Sequence, residues 1–307
     1  MTAGEDGGDC KGGRRRSAAA MSLTAFFFLM LNGLTLAALL FVMASGLTLT
    51  FGLMRVVNLA HGAFYMLGGY VGVAVYQETA SLMLGLLAGA GAGLAIGLFI
   101  ERVLLKRVRG IELSEALLTI AIAMIVSDAL LAVFGGHPKS LLPPPELRGR
   151  VDLLVVQYPF FRMLILGGAI ALGIATWLML TGTRLGAAIR AGVDDRETAE
   201  SQGVNVGRLF AIVFGFASLL AGLAGVVGAS YLSLAQDTGL RVLMLSLVVV
   251  IIGGLGSIPG AALGALITGL ITSFANAFFP QFALFFLFAP LALVLALRPQ
   301  GLLGRET

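Results

Sequence analysis

Long apolar runs separated by short polar segments make up most of the chain. A membrane-spanning helix needs roughly 20 predominantly apolar residues. By this criterion the pattern predicts spans at residues 23–43, 60–77, 81–101, 114–134, 160–181, 209–231, 242–275 and 281–297. Strands of a membrane β-barrel would alternate apolar and polar residues over about ten positions, and the sequence has no such alternation. The pattern therefore predicts an all-α fold, a polytopic transmembrane helical bundle of about eight spans with segments broken by glycine and proline.

Two of the apolar regions do not fit a single crossing. Residues 23–53 are too long for one span and too short for two, and residues 242–275 have the same problem. Glycine and proline at membrane depth free backbone groups that the protein or a cavity must satisfy. Such interrupted segments mark the transport path in many carriers. The second region contains the candidate path residues Gly253, Gly254, Gly256 and Ser257. A short loop between two compact helices is an equally weighted alternative.

Composition and charge support a membrane protein. Hydrophobic residues make up 58% of the chain and charged residues 12%, whereas a soluble domain averages about a quarter charged. The net charge of +4 does not predict nucleic-acid binding, because basic residues in membrane proteins mark the cytoplasmic side. The basic loops 102–109 and 184–208 are separated by two spans, so both are expected in the cytoplasm, with the loop 135–159 facing outward.

The first 21 residues are polar and of low complexity, unlike the rest of the chain. We expect residues 1–21 to be a disordered tail or a misassigned start, with Met21 as the true initiator, and residues 22–307 to form the transmembrane domain. The single cysteine, Cys10, excludes disulfides within the chain and cysteine metal sites.

The loop 184–208 is the longest polar segment between spans. Within it, Glu197-Thr198-Ala199 is followed by Gly203. A short amphipathic helix that ends at a glycine can seat in a groove of a soluble partner, with Arg196 and Glu197 at its rim. The loop therefore predicts a docking element for a separate motor protein. The alternative is a solvated loop without a partner.

Three polar side chains within the apolar regions are candidates for the path. Asn58 and His61 lie where a span begins; a lone histidine there usually fixes a helix end, and a conformational or path role is the functional alternative. Asp128 lies inside the fourth span, where a carboxylate costs about 2.5–3.5 kcal/mol on insertion scales. It should face protein or water. We favour a hydrogen-bonded packing role over a proton relay, because no second acidic residue is expected within a span.

Glycines recur at every fourth position of the third span, at Gly85, Gly89, Gly93 and Gly97. Such a stripe lets two helix backbones approach closely in lipid, so we expect these residues to pack helices together.

Sequence motifs for catalysis are missing. The chain has neither a phosphate-binding G-x-x-x-x-G-K-[ST] motif nor an H-E-x-x-H motif, and its only histidines are His61 and His137. We therefore expect no catalytic residue, no metal site and no cofactor. If ATP drives this protein, the ATPase is another chain.

Several blocks, in order, resemble the membrane subunits of bacterial ABC importers of the branched-chain amino acid permease family. The resemblance covers nearly everything from about Asn32 to Gly304. The blocks are NGL at 32–34, GLTLTFGLMRVVNLAHGAFYMLGGYVG at 46–72, TRLGAAIRAGVDDRETAESQGVN at 183–205, LAGLAGVVGA at 220–229, VVVIIGGLGSIPGAALGAL at 248–266 and RPQGLLG at 298–304.

The resemblance implies a permease in the bacterial inner membrane that works with other chains. These are a homologous second permease subunit, two cytoplasmic ATPase subunits and a periplasmic substrate-binding protein. It implies branched-chain or other hydrophobic amino acids as substrates, with urea or short amides as the alternative. A rival class, an ion-driven secondary carrier, would need clustered charges within the membrane.

The resemblance also gives the loop 184–208 a role, the coupling of the permease to its ATPase. Its core would be the importer motif E-A-A-x3-G, here with Thr198 at the second position and without the apolar–proline part after Gly203. The implied coupling residues are Arg196, Glu197, Thr198, Ala199 and Gly203.

Overall fold

We analysed a computed structural model that describes residues 23–54, 58–153, 156–194 and 196–304. The expected tail, residues 1–21, lies outside these residues. The helices are α1 Leu23–Met54, α2 His61–Thr79, α3 Leu82–Phe99, α4 Lys106–Val108, α5 Glu112–Phe134, α6 Phe160–Gly182, α7 Arg184–Asp194, α8 Arg196–Ser201, α9 Val206–Gly228, α10 Thr238–Gly253, α11 Ile258–Phe278 and α12 Ala283–Leu297. A π-helical segment, Ile100–Leu105, joins α3 to α4. Short 3-10 turns at Pro145–Leu147 and Pro280–Phe282 complete the helical elements.

The described residues form a polytopic helical bundle, as the apolar pattern predicts. Seven of its helical segments are long and apolar enough to cross a membrane. The remaining two helices of the bundle are α2, with 19 residues and a more polar composition, and α10, with only 16. The estimate of about eight spans is therefore approximate.

The expectation that residues 23–53 do not fit a single crossing is wrong. These residues belong to one continuous helix, α1, of 32 residues, which is about 48 Å long at 1.5 Å per residue. Its glycines do not interrupt the helix. Gly33 and Gly46 pack instead against the backbones of α11 and α9. A helix longer than the bilayer is accommodated by tilt or by projection beyond it.

The second irregular region, residues 242–275, is two helices joined by a short turn. α10 ends at Gly253, and Gly254 and Gly256 have positive φ angles of 108° and 80°. The Ser257 hydroxyl then accepts a hydrogen bond from the Gly260 N–H (3.1 Å) and caps α11. The chain thus reverses direction within four residues, which corresponds to the short-loop alternative.

Helices α2, α3 and α9 form the tightly packed centre of the bundle, and α1 covers α9. The α3 glycines lie on the side that contacts α2 and α9, where Gly85 meets the Gly72 backbone and Gly93 meets the Ser218 carbonyl. A Cβ atom at Gly68 would collide with the Gly222 backbone. The three helices are therefore in backbone contact, which only glycine permits.

The two ends of the bundle differ in chemistry. One end, which we call the basic end, carries residues 102–109 and 184–208. The other, the hairpin end, carries the antiparallel strands β1 (Arg150–Leu153) and β2 (Val156–Pro159) and a backbone pair between Lys139 and Leu234.

A polar cluster fixes this hairpin to the first turns of α1. The Tyr158 hydroxyl lies 2.8 Å from Thr35 Oγ1 and 3.1 Å from Asn32 Oδ1. Arg162 of α6 also donates to Asn32 Oδ1 (2.6 Å), and its guanidinium lies 5.0 Å from the ring centre of Tyr231. Strand β2, α6 and the loop after α9 therefore meet at the hairpin end of α1.

We predict that Gly93→Ala lowers the stability of the bundle and that Gly91→Ala does not. The new methyl at position 93 would meet the Ser218 carbonyl, whereas nothing lies within 4 Å of a Cβ at position 91. Overpacking typically costs about 1–3 kcal/mol, and alanine is the better helix former at an unconstrained site. Apparent unfolding temperatures in detergent measure the difference; equal temperatures for the two variants would contradict the backbone contact.

Candidate coupling and translocation sites

The polar loop 184–208 folds into two helices, α7 and α8. Helix α8 ends in a Schellman motif: the Gly203 N–H donates to the Glu200 carbonyl (3.0 Å) and the Val204 N–H to the Ala199 carbonyl (3.1 Å). Gly203 has φ = 85°, a conformation that disfavours any residue with a side chain. The glycine thus ends α8 and turns the chain towards α9.

The candidate coupling residues sit on this short helix. Ala199 is buried, at 4% exposure, and Thr198 is exposed. Arg196 and Glu197 belong to α8, but their side chains lie outside the described ones. Ala199 joins an apolar cluster at the base of α9. The members of this cluster are Leu49, Ile189, Ala199, Val206, Leu209, Phe210, Val213 and Ile258.

Helix α2 begins well inside the bundle. Its first residue, His61, lies beside Gly46 of α1, and Nε2 donates a hydrogen bond to the Met43 carbonyl (3.0 Å). Met43 is 11 residues from the basic end of α1, about 16 Å along its axis. Because α3 continues past this level towards the basic end, α2 is a helix that starts at membrane depth.

The backbone at the start of α2 is satisfied by nearby side chains. Asn58 Oδ1 accepts from the Ala60 N–H (3.1 Å), and Thr119 Oγ1 of α5 accepts from the Leu59 N–H (3.3 Å). Asn58 and His61 are themselves 4% and 0% exposed. The two predicted path residues are therefore close together, but neither lines an open passage in this conformation.

The turn after α10 lies at the basic end and is covered by the C-terminal segment. The Leu302 and Leu303 N–H groups donate to the carbonyls of Ile252 and Gly253, both at 2.9 Å. Gly254 is in backbone contact with Gly301. Gly253, Gly254, Gly256 and Ser257 thus occupy a place different from that of Asn58 and His61.

Asp128 is exposed on the outer face of α5. No hydrogen bond or ion pair to it occurs within the described part of the chain. It lies six residues before the end of α5, about 9 Å inside that end. The described residues of this chain therefore offer Asp128 no partner for the expected hydrogen-bonded packing role.

The expectation that no other acidic residue lies within a span is wrong. Glu101 lies in the π-helical continuation of α3 and Glu115 in α5, and both are buried. Both residues already lie at the ends of the predicted spans 81–101 and 114–134. The π-helical segment carries the helix beyond Glu101, which hydropathy does not reveal.

Glu101 belongs to a buried charge cluster that sequence reasoning missed. Its carboxylate forms an ion pair with Arg109, and the Arg109 guanidinium stacks 4.3 Å from the ring centre of Phe210 on α9. Glu115 accepts a hydrogen bond from the Gly110 N–H (2.7 Å). From the sequence, Arg109 belongs simply to a basic loop. The available signal for a buried charge is Glu101, an acidic residue at the end of an apolar run.

This cluster connects two parts of the basic end. Phe210 contacts Arg109 and also belongs to the apolar cluster that contains Ala199. The chain from α3 to α5 is thereby tied to α9 and to the helix α8. π-Helical segments are frequent at functional sites, and this one supplies Glu101.

These features define a class of protein: a multi-pass membrane protein with helices that begin at membrane depth and a helical polar loop at its basic end. The family model for the permease component of branched-chain amino acid transport systems matches residues 29–295. The chain therefore belongs to this family of transport permeases, and it is a multi-pass protein of the inner membrane.

Individual relatives agree with the family model. The chain is 30% identical to the high-affinity branched-chain amino acid permease BraD of Pseudomonas aeruginosa over 293 residues, 90% of this chain and 95% of BraD. It is 30% identical to LivH of Escherichia coli K12 over 308 residues, 93% and 98% of the two chains. The ribose import permease RbsC of the same organism is 27% identical over 72% of this chain and 69% of its own length. No solved structure matches with comparable significance.

We predict that Arg109→Gln destabilises the bundle more than the double variant Glu101→Gln/Arg109→Gln. Removing one partner of a buried ion pair costs roughly 3–5 kcal/mol, because the other charge stays buried and unpaired. Neutralising both removes that penalty. Arg107→Gln, an exposed position of the same loop, serves as the control. Unfolding temperatures in detergent should fall most for Arg109→Gln; a native-like value for this variant would show that the pair does not support the fold.

Proposed function

We propose that this chain is the permease subunit of an ATP-driven importer for branched-chain and other hydrophobic amino acids. The single observation that supports this most is the similarity to BraD and LivH over at least nine-tenths of the chain. Permeases of ABC importers work with ATPases and a binding protein. We propose a homologous second permease subunit, two cytoplasmic ATPase subunits and a periplasmic substrate-binding protein as partners. The chain then has no enzymatic activity of its own and needs no cofactor.

The charge distribution supports a cytoplasmic position for the basic end. Arginine and lysine residues near span ends collect on the cytoplasmic side. Eight basic residues lie in the two loops of this end: Arg102, Lys106, Arg107, Arg109, Arg184, Arg190, Arg196 and Arg208. The ATPase subunits would approach from this side.

Helix α8 is the proposed coupling element. It packs against α7 and, through Ala199, against the base of α9, and its Schellman turn at Gly203 leads directly into α9. Closure of the ATPase pair on ATP would push on α8 through Arg196, Glu197 and Thr198. The buried contacts of Ala199 with the base of α9 would pass that push to the glycine-packed centre.

The path itself is proposed to pass the interrupted segments of the bundle. Asn58 and His61 at the start of α2, Asp128, and the turn Gly253–Ser257 are the candidates. The binding protein would make the main selection among substrates, because the interior of the described bundle offers few charges to hold an amino acid tightly.

Uptake of radiolabelled leucine tests the proposal. Cells that lack this chain should regain leucine uptake when it is restored, and ATP depletion alone should abolish that uptake. Labelled urea in parallel separates the two substrate classes. Uptake that follows the ion gradient while ATP stays high would instead identify a secondary carrier and would remove the coupling role of α8.

We predict that Gly203→Ala reduces ATP-driven uptake several-fold while Gly182→Ala leaves it unchanged. Both positions have open space for a methyl group, but only Gly203 has a positive φ. A side chain there costs about 1–2 kcal/mol, which weakens the Schellman turn and shifts α8. Uptake should be normalised to the amount of protein in the membrane. Equal uptake by the two variants would exclude a coupling role for this turn.

A further inference from the structure

Two roomy cavities lie within the described bundle, and neither suits an amino acid zwitterion. Its two large cavities, about 280 Å³ and about 440 Å³, are lined by apolar residues of α1, α3, α6, α9 and α11. A third cavity, partly polar in its lining, has a volume of about 10 Å³, barely enough for one water molecule. These cavities do not provide a path for a zwitterion, which points to a path that another chain completes.

That small polar cavity marks a particular face of the bundle. It lies at the hairpin end between α5 and the loop before α10, over the middle of α2. Met66 and Tyr70 of α2, Ser127 of α5 and Gln236 of the loop before α10 line it. Asp128, exposed, follows Ser127 on α5. We call the surface formed by α5, the middle of α2 and the first turns of α10 the α5/α10 face.

Helix α10 adds a second charged site to this face. Its 16 residues span only about 24 Å, less than the hydrocarbon core of about 30 Å. Since α10 ends at the basic end, its first turn lies at membrane depth, and Gly239 packs there against Gly62 at the start of α2. The ion pair Asp237–Arg241 (2.6 Å) on this turn is exposed.

Contact with lipid is unfavourable for the exposed charges of Asp128, Asp237 and Arg241. Asp128 is the only exposed acidic residue more than one turn from an end among the described helices that could span a membrane. An aspartate is too short to reach the interface as lysine and arginine do, and at membrane depth it needs protein or water. The exposed faces of α6 and α12, by contrast, are apolar between their first and last turns.

We propose that the α5/α10 face is where the homologous second permease subunit meets this chain, and that the outer half of the path runs between them. The inference rests on the proposed function. The face carries the Asp128 carboxylate on α5 and the Arg241 guanidinium on α10, the groups that suit the ammonium and carboxylate of an amino acid. The second subunit closes the groove and excludes lipid from it.

Site-directed photo-crosslinking tests the assignment. The single cysteine, Cys10, is replaced by serine, and one cysteine is introduced as Ile125→Cys on α5 or Leu240→Cys on α10. Ile174→Cys on α6 and Leu293→Cys on α12 are matched controls, since all four positions carry apolar side chains that are 54–67% exposed. Each is labelled with benzophenone-4-maleimide in membranes that contain the complete importer, irradiated, and the products are identified by mass spectrometry.

Adducts between positions 125 and 240 and the homologous permease subunit, without such adducts from positions 174 and 293, are the expected result. Three outcomes would overturn the proposal: adducts of 125 and 240 with lipid alone, adducts with another copy of this chain, or subunit adducts from the control helices instead. Leucine uptake by the same cells separates the two levels. ATP-driven uptake together with adducts from the control helices rejects the α5/α10 face alone, whereas ATP-independent uptake rejects the proposed function.

The variant Asp128→Leu provides a second test. If position 128 faced lipid, leucine would be the better residue, and uptake and subunit co-purification would be unchanged. On the α5/α10 face the substitution removes a charge from the path, so uptake per assembled complex should fall, while Asp128→Asn should retain more of it. Native uptake in both variants would contradict a position on the path.

Discussion

Backbone contact among α2, α3 and α9 is the constraint on which the rest of the bundle depends. In lipid, apolar side chains gain nothing by leaving the solvent for another helix, so association relies on close packing. The pairs Gly72–Gly85 and Gly68–Gly222 bring these backbones together. α9 becomes the buried axis of the molecule, and the loosely attached α5, α6 and α12 surround it.

A rigid centre allows two helices to start inside the membrane. α2 begins at His61, and the N–H groups of Leu59 and Ala60 just before it are satisfied by Thr119 and Asn58, as any backbone at that depth requires. α10 begins at about the same level, and the two starts meet where Gly62 packs against Gly239. Interrupted helices that meet in this way are the usual setting of a transport path. Asp237 and Arg241 of the α5/α10 face each lie two residues from Gly239, which ties the outer half of the proposed path to the same irregular region.

The sequence predicts those features whose cause is local. The lengths of the apolar runs predict the helical bundle, and Gly203 predicts the end of α8. Each of these features depends on residues that are close together in sequence. The continuity of α1 could not be read in this way, since hydropathy does not distinguish a long tilted helix from a broken one. The Glu101–Arg109 pair was also missed. An acidic residue at the end of an apolar run indicates a buried charge, but its partner cannot be read from the sequence, because a π-helical segment and the base of α9 bring the two residues together. Asp128 was recognised as unusual, but its exposed position on α5 required the packing of all the other helices.

The rigidity of the centre also limits how a push at α8 can act. Closely packed backbones move as a unit, because small deformations of such an interior are costly. In the proposed importer, the force that reaches α9 through Ala199 and Phe210 would therefore displace α2, α3 and α9 together. The contact that can change is the one between the α5/α10 face and the second subunit, because this chain does not close that face by itself. ATP use at the basic end would then open and close the path at the hairpin end by moving one rigid subunit against another, a shift between packed bodies in which the helices themselves need not deform.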